Sequence, residues 1–199
     1  MNCLYCDKKI DWVNLKSLFL KEDGLCTDCR GKLIIKRRKV KIQEMEVETF
    51  YDYDGMYRSL LLQYKECLDE ALKDVFLYEI ADYINIRYFG YKICFIPSSI
   101  KKLEYRGFEH LKLMFEAVRL KPLEGLKMKE ELTQEGMDLS NRMKMLNNFV
   151  YNGKQENRVL LVDDVLTSGS TLLGAYRTLI LNCKCIKVLS VAYKNNLFF

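Results

Sequence analysis

The chain has 199 residues, of which 49% are hydrophobic and 30% charged, with only 2 prolines. That suffices for one α/β domain with a sizeable core and a small appendage, and it excludes long disordered linkers. The 32 Lys+Arg against 27 Asp+Glu leave a net charge of +5, too mild an excess to argue alone for a polyanionic partner. No stretch is apolar enough to span a membrane, and the start Met1-Asn2-Cys3-Leu4-Tyr5-Cys6 lacks the basic-then-apolar pattern of a leader. The expectation is a cytoplasmic protein with no membrane span.

Eight cysteines in a reducing compartment call for metal ligation or burial. Cys3 and Cys6 form one C-x-x-C pair and Cys26 and Cys29 a second, with 19 residues between the pairs. Two such turns bring four thiolates around one tetrahedral Zn²⁺. A segment of about 30 residues cannot bury a core of its own, so a structural Zn²⁺ would supply much of its folding energy. Trp12, Leu15, Leu18, Phe19 and Leu20 are expected to pack around this knuckle; a disulfide pair is the alternative use of the thiols. Cys67, Cys94, Cys183 and Cys185 read as buried structural thiols.

Lys32 to Lys41 follows, with six basic residues and no acidic one. Lys36, Arg37, Arg38 and Lys39 are candidates for contacts to nucleic-acid phosphates, and a solvated connector is the equal alternative. The chain divides into 1–41, knuckle and basic connector, and 42–199, the main domain. Glu44, Glu46 and Glu48 then turn the chain acidic. Residues 47–53 read as a strand, Gly55 as a turn and Met56–Tyr64 as the start of a helix. Val75, Phe76, Ile80, Tyr83 and Ile84 predict a helix over 73–88, and 91–96 predicts a second apolar strand ending at Pro97. The loop 97–102 and a helix over 108–118 come next. His110, the only histidine, is expected as a surface or half-buried residue of that helix. Residues 121–150 read as a mobile arm with a short helix, and 186–192 as the last strand.

The run Val159-Leu-Leu-Val-Asp-Asp-Val-Leu-Thr-Ser-Gly-Ser-Thr171 carries the chemistry. Val159–Val162 has no polar face, as a strand buried on both sides of a parallel sheet requires. Asp163 and Asp164 then fall at the strand's carboxyl end, where open α/β sheets bind ligands. Thr167–Thr171 is expected to form a loop feeding a helix from about 172 to 181. Hydroxyls and free N–H groups at a helix start suit a phosphate. Carboxylates beside a phosphate cradle point to a sugar phosphate. A P-loop is excluded because no Lys follows the glycine, and no dinucleotide-type glycine triplet is present.

This run is similar to the phosphoribosyl pyrophosphate (PRPP) motif of type I phosphoribosyltransferases. The resemblance assigns Asp163 and Asp164 to the ribose hydroxyls and Thr167, Ser168, Gly169, Ser170 and Thr171 to the 5′-phosphate. With the four-Cys knuckle in front, the chain resembles the ComF family of bacterial DNA-uptake proteins. Tyr51-Asp-Tyr53 with Gly55, Arg58 and Lys65 resembles one of its segments, Pro97 through Arg106-Gly107-Phe108 another, and Thr133-Gln134 with Arg142 and Phe149 a third. Ser99 stands where the family's second proline is common, Glu109 replaces an Asn, and Met145 lies near the place of another.

The resemblance implies an α/β fold: a type I phosphoribosyltransferase-like parallel sheet flanked by helices, with a small N-terminal four-Cys zinc knuckle. It implies binding of PRPP with Mg²⁺, a pyrophosphate loop at Ser98, Ser99, Lys101, Lys102 and Arg106, and a part in single-stranded DNA uptake beside a competence helicase or ATPase. A working phosphoribosyltransferase acting on a nucleobase or amine, with the knuckle purely structural, is the alternative. No residue of the sequence announces itself as the catalytic base or the acceptor pocket.

Overall fold

The computed structural model describes residues 1–10, 23–129 and 148–195. Thr133, Gln134, Arg142 and Met145, the side chains expected around the knuckle from Trp12 to Leu20, and most of the expected arm lie outside them. Among the described residues no helix is long and apolar enough to cross a membrane.

Six strands form the main sheet in the order β1-β2-β8-β7-β3-β4. They are β1 (Arg38–Ile42), β2 (Met45–Asp52), β3 (Lys92–Phe95), β4 (Lys121–Pro122), β7 (Glu156–Leu166) and β8 (Cys183–Tyr193). β1 runs antiparallel to β2, and every other neighbouring pair is parallel. β5 (Leu126–Met128) and β6 (Phe149–Tyr151) form a separate antiparallel pair. The central strands are the predicted ones. Val159, Leu160, Leu161 and Val162 are fully buried, as a strand covered on both faces should be.

The chain leaves β3 toward β4 on one side and leaves β7 toward β8 on the other. The neighbouring strands β3 and β7 therefore flank a topological switch point, where a crevice opens beyond the carboxyl ends of the strands. β3 ends at Phe95 opposite Val162, while β7 continues to Leu166. Asp163 and Asp164 lie on that overhang, inside the strand and past the end of one neighbour.

Several elements differ from the sequence reading. The basic connector is not a free segment: residues 38–42 form an edge strand of the sheet, so the division drawn between 41 and 42 falls inside β1. The predicted helix over 73–88 is a 3₁₀ turn at Glu70–Asp74 followed by α3 (Ala81–Arg87). Val75, Phe76 and Leu77 are all buried. Three consecutive side chains point in widely different directions from a helix, so a turn buries them where a helix would not. The loop after β3 shortens because α4 (Ile100–Arg106) starts within it, the Ser99 hydroxyl accepting from Lys102 N–H. Gly107 ends α4 in the left-handed conformation. α5 (His110–Met114) is shorter than the predicted 108–118, although Leu111, Met114, Phe115 and Val118 are buried at the expected spacing.

The knuckle packs on the domain. Cys3, Leu25, Cys29 and Leu33 belong to the same buried cluster as the sheet residues. Arg30, on α1 (Thr27–Arg30), donates to Val75 O at 3.2 Å and lies 4.8 Å from the centre of the Tyr78 ring. Its guanidinium pairs with the buried Asp23.

Candidate functional site

Cys3, Cys6, Cys26 and Cys29 converge, with all four Sγ atoms within 4.8 Å of one another. Tetrahedral Zn²⁺ with thiolate bonds of about 2.3 Å places its sulfurs about 3.8 Å apart, and Cys6 Sγ lies 3.7 Å from Cys26 Sγ. Cys26 N–H points at Cys3 Sγ at 3.3 Å. Burial raises the Cys3 thiol, but backbone N–H groups, Cys26 first, outweigh it and bring the group down to about 6. Such donors are what a bound thiolate needs. The four side chains are positioned to hold a metal such as zinc.

β7 carries Asp163 and Asp164 into the crevice. Successive strand residues face opposite sides of the sheet, so the adjacent carboxylates do different work. Asp164 is buried, at 5% exposure. Its Oδ2 accepts from Lys65 Nζ, at the end of α2 (Gly55–Glu66), and lies 3.0 Å from His110 Nε2 on α5. Burial opposes the charge of Asp164, yet the Lys65 ammonium and the His110 bond hold the carboxyl well below its usual range. Asp163 is half-buried, and its Oδ1 accepts from Asp164 N–H at 2.9 Å. Loss of hydration, then the charge of Asp164, pushes it up to about 8.

The turn after β7 depends on Gly169, whose φ is +73°. A Cβ there would sit 2.3 Å from Ile42 Cδ1, a side-chain end that can shift, so it is the backbone conformation that needs glycine. α6 (Ser170–Leu179) starts at once, which places Ser170 and Thr171 in its first turn and Thr167 and Ser168 in the exposed loop before it. Ser168 Oγ and Ser170 Oγ lie 2.9 Å apart. Gly169 has no side chain to cap this helix start; Ser168 Oγ accepts from Ser170 N–H at 3.4 Å, and the next first-turn N–H groups are left open to an anion.

The loop after β3 meets the same crevice. Ser98 Oγ lies 3.3 Å from His110 Nδ1, and Arg106 Nη1 lies 3.4 Å from it. Arg106 is buried and turned inward, donating to Lys65 O and Glu66. Lys101 and Lys102 are exposed on α4, with no ion pair among the described residues. Glu109 is balanced by Lys112 at 2.6 Å. A cleft of about 110 Å³ lies beside Ser98, walled by Phe95, Pro97, Glu109, Leu123 and Leu126.

The expectation for His110 is corrected. It is buried at 6% exposure and sits at the centre of this cluster. A helix position shows which face a histidine takes only when its neighbours in space are known, and Asp164 is 54 residues away. Lys65 stood in a motif segment without a role, and the same long-range contact supplies one. The trio Ser98, His110 and Asp164 has the composition of a hydrolytic triad without its chemistry. The Arg106 guanidinium beside Nδ1 makes that nitrogen a poor base for the serine.

Lys36, Arg37, Arg38 and Lys39 each face a carboxylate of β2. Lys36 and Arg38 pair with Asp52, Arg37 with Glu48 and Lys39 with Glu46. Four cations thus meet three carboxylates. No protein-family model matches the chain, and no curated protein matches it either.

Proposed function

We propose that this is a ComF-type protein that binds PRPP, with Mg²⁺ on the pyrophosphate, and takes part in handling single-stranded DNA during uptake. The observation that carries this reading is the order of chemistry along one strand at the switch point. Two carboxylates on the β7 overhang are followed by a glycine-dependent turn, hydroxyls and a helix start whose N-cap is a glycine. In this reading Asp163 meets the ribose hydroxyls, and Asp164 sets the local charge through Lys65 and His110. Thr167–Thr171 wraps the 5′-phosphate. Ser98, Ser99, Lys101 and Lys102 face the pyrophosphate, with Arg106 supporting them from behind. The four-Cys knuckle and the mostly parallel sheet are compatible with it. Ion pairing at Lys36–Lys39 makes the DNA part dependent on exchanging carboxylates for phosphates, so DNA affinity should be modest and steeply salt-dependent.

The cleft beside Ser98 favours a second reading, a phosphoribosyltransferase whose nucleobase or amine acceptor enters there. Thermal unfolding tests the shared step. A ligand that binds only the folded chain raises its melting temperature by mass action. PRPP with Mg²⁺ should raise it more than ribose 5-phosphate, and ribose 5-phosphate more than inorganic phosphate. No shift with any of them would overturn both readings. Turnover of PRPP with a base would select the second.

A further inference from the structure

His110 stands where the two halves of the crevice join. Its Nε2 lies 3.0 Å from Asp164 Oδ2 on β7, and its Nδ1 faces Ser98 Oγ at 3.3 Å and Arg106 Nη1 at 3.4 Å. Those partners fix its tautomer. A guanidinium only donates, so Nδ1 accepts and carries no proton. An ionised carboxylate only accepts, so Nε2 carries it. The charged groups facing the ring are Asp164 from β7, Lys65 from α2 and Arg106 from α4, and Glu109 precedes it in the chain. Burial pushes the ring below its ordinary value, and Asp164 draws it only part of the way back, which favours the neutral imidazole those partners require. The backbone is held as well, because Tyr64 Oη donates to His110 O at 2.8 Å.

We propose that His110 is a positioning residue that ties the loop after β3 to Asp164, so that the pyrophosphate end and the ribose end of the site are set as one unit. This rests on the sugar-phosphate reading above. The ring is rigid, buried and bonded at both nitrogens. A ligand that draws Ser98 toward its pyrophosphate therefore changes the environment of Nδ1 and, through the ring, the hold on Asp164. The variants separate the two bonds. Gln keeps a donor where Nε2–H stood but loses the acceptor for Ser98, whereas Phe loses both.

A single histidine gives one unambiguous pair of imidazole nitrogen resonances. They should show protonated Nε2 and bare Nδ1 in the free protein. PRPP with Mg²⁺ should shift Nδ1, and ribose 5-phosphate, which lacks the pyrophosphate, should shift it less. In calorimetry, His110→Phe should weaken PRPP binding by about tenfold, the scale of one buried hydrogen bond. His110→Gln should lower the preference for PRPP over ribose 5-phosphate, and it serves where the Phe variant fails to fold. The opposite tautomer, or an unchanged preference in His110→Gln, overturns the positioning role alone. No PRPP binding by the wild-type protein overturns the sugar-phosphate reading, and the positioning role falls with it.

Discussion

Asp164 and Glu46 each meet a lysine within hydrogen-bond reach, Lys65 and Lys39 respectively. Asp164 is 7% exposed at its side chain and is reached from two helices. Glu46 and Lys39 are more than half exposed on a sheet edge. In the crevice a charge that loses its partner has no water to replace it, so the pair is held together by the penalty of separation. Between the edge strand and its neighbour water competes for both groups, and the pair contributes little. The same residue types thus build a fixed electrostatic site at one place and an exchangeable surface at another.

Removing a metal held by the four cysteines gives the largest expected effect, because its bonds would tie Cys3 and Cys6 to Cys26 and Cys29. Chelation should release the packing of 23–33 against the domain, read as loss of amide protection there, and should lower stability by several kcal/mol. Retained protection after verified metal removal would contradict this. Lys65→Met comes next. It leaves Asp164 buried beside His110 without its cation and should cost about 3–5 kcal/mol in urea unfolding.

Asp163→Asn should act in the opposite sense. The folded protein holds the Asp163 proton up to about pH 8, whereas the unfolded chain releases it near pH 4. Stability from this group is therefore lost as pH rises through that window. The Asn variant should exceed wild type by about 1 kcal/mol or more at pH 9, with the gain shrinking toward pH 5. Equal curves at all pH values would contradict the raised carboxyl. The smallest effect is at the edge: a double-mutant cycle on Lys39 and Glu46 should give about 0.2–1 kcal/mol, falling with added salt.

The parts legible in the sequence are those with a local signature. The cysteine spacing predicts the cluster, the unbroken apolar run predicts β7, and Gly169 among hydroxyls predicts the turn. What the sequence hides is contact across long separations. Asp164 meets Lys65 across 99 residues and His110 across 54, so neither neighbour is marked by its own surroundings. The basic run shows the same limit. Its charge count is visible, but the carboxylates that meet it become partners only when β1 folds back on β2, through a hairpin in which Val40 faces Val47. Periodicity also misleads where three neighbouring side chains are all buried, as at Val75–Leu77.

The most direct measurement is calorimetric titration of the zinc-loaded protein with PRPP and Mg²⁺, beside the Asp163→Asn variant. Saturable binding that the variant weakens by tenfold or more, about 1.4 kcal/mol, is the predicted result, because Asp163 is the carboxyl left free to meet ribose hydroxyls. Absence of binding by the folded wild-type protein, or equal binding by both, would contradict the assignment of the β7 overhang to a sugar phosphate.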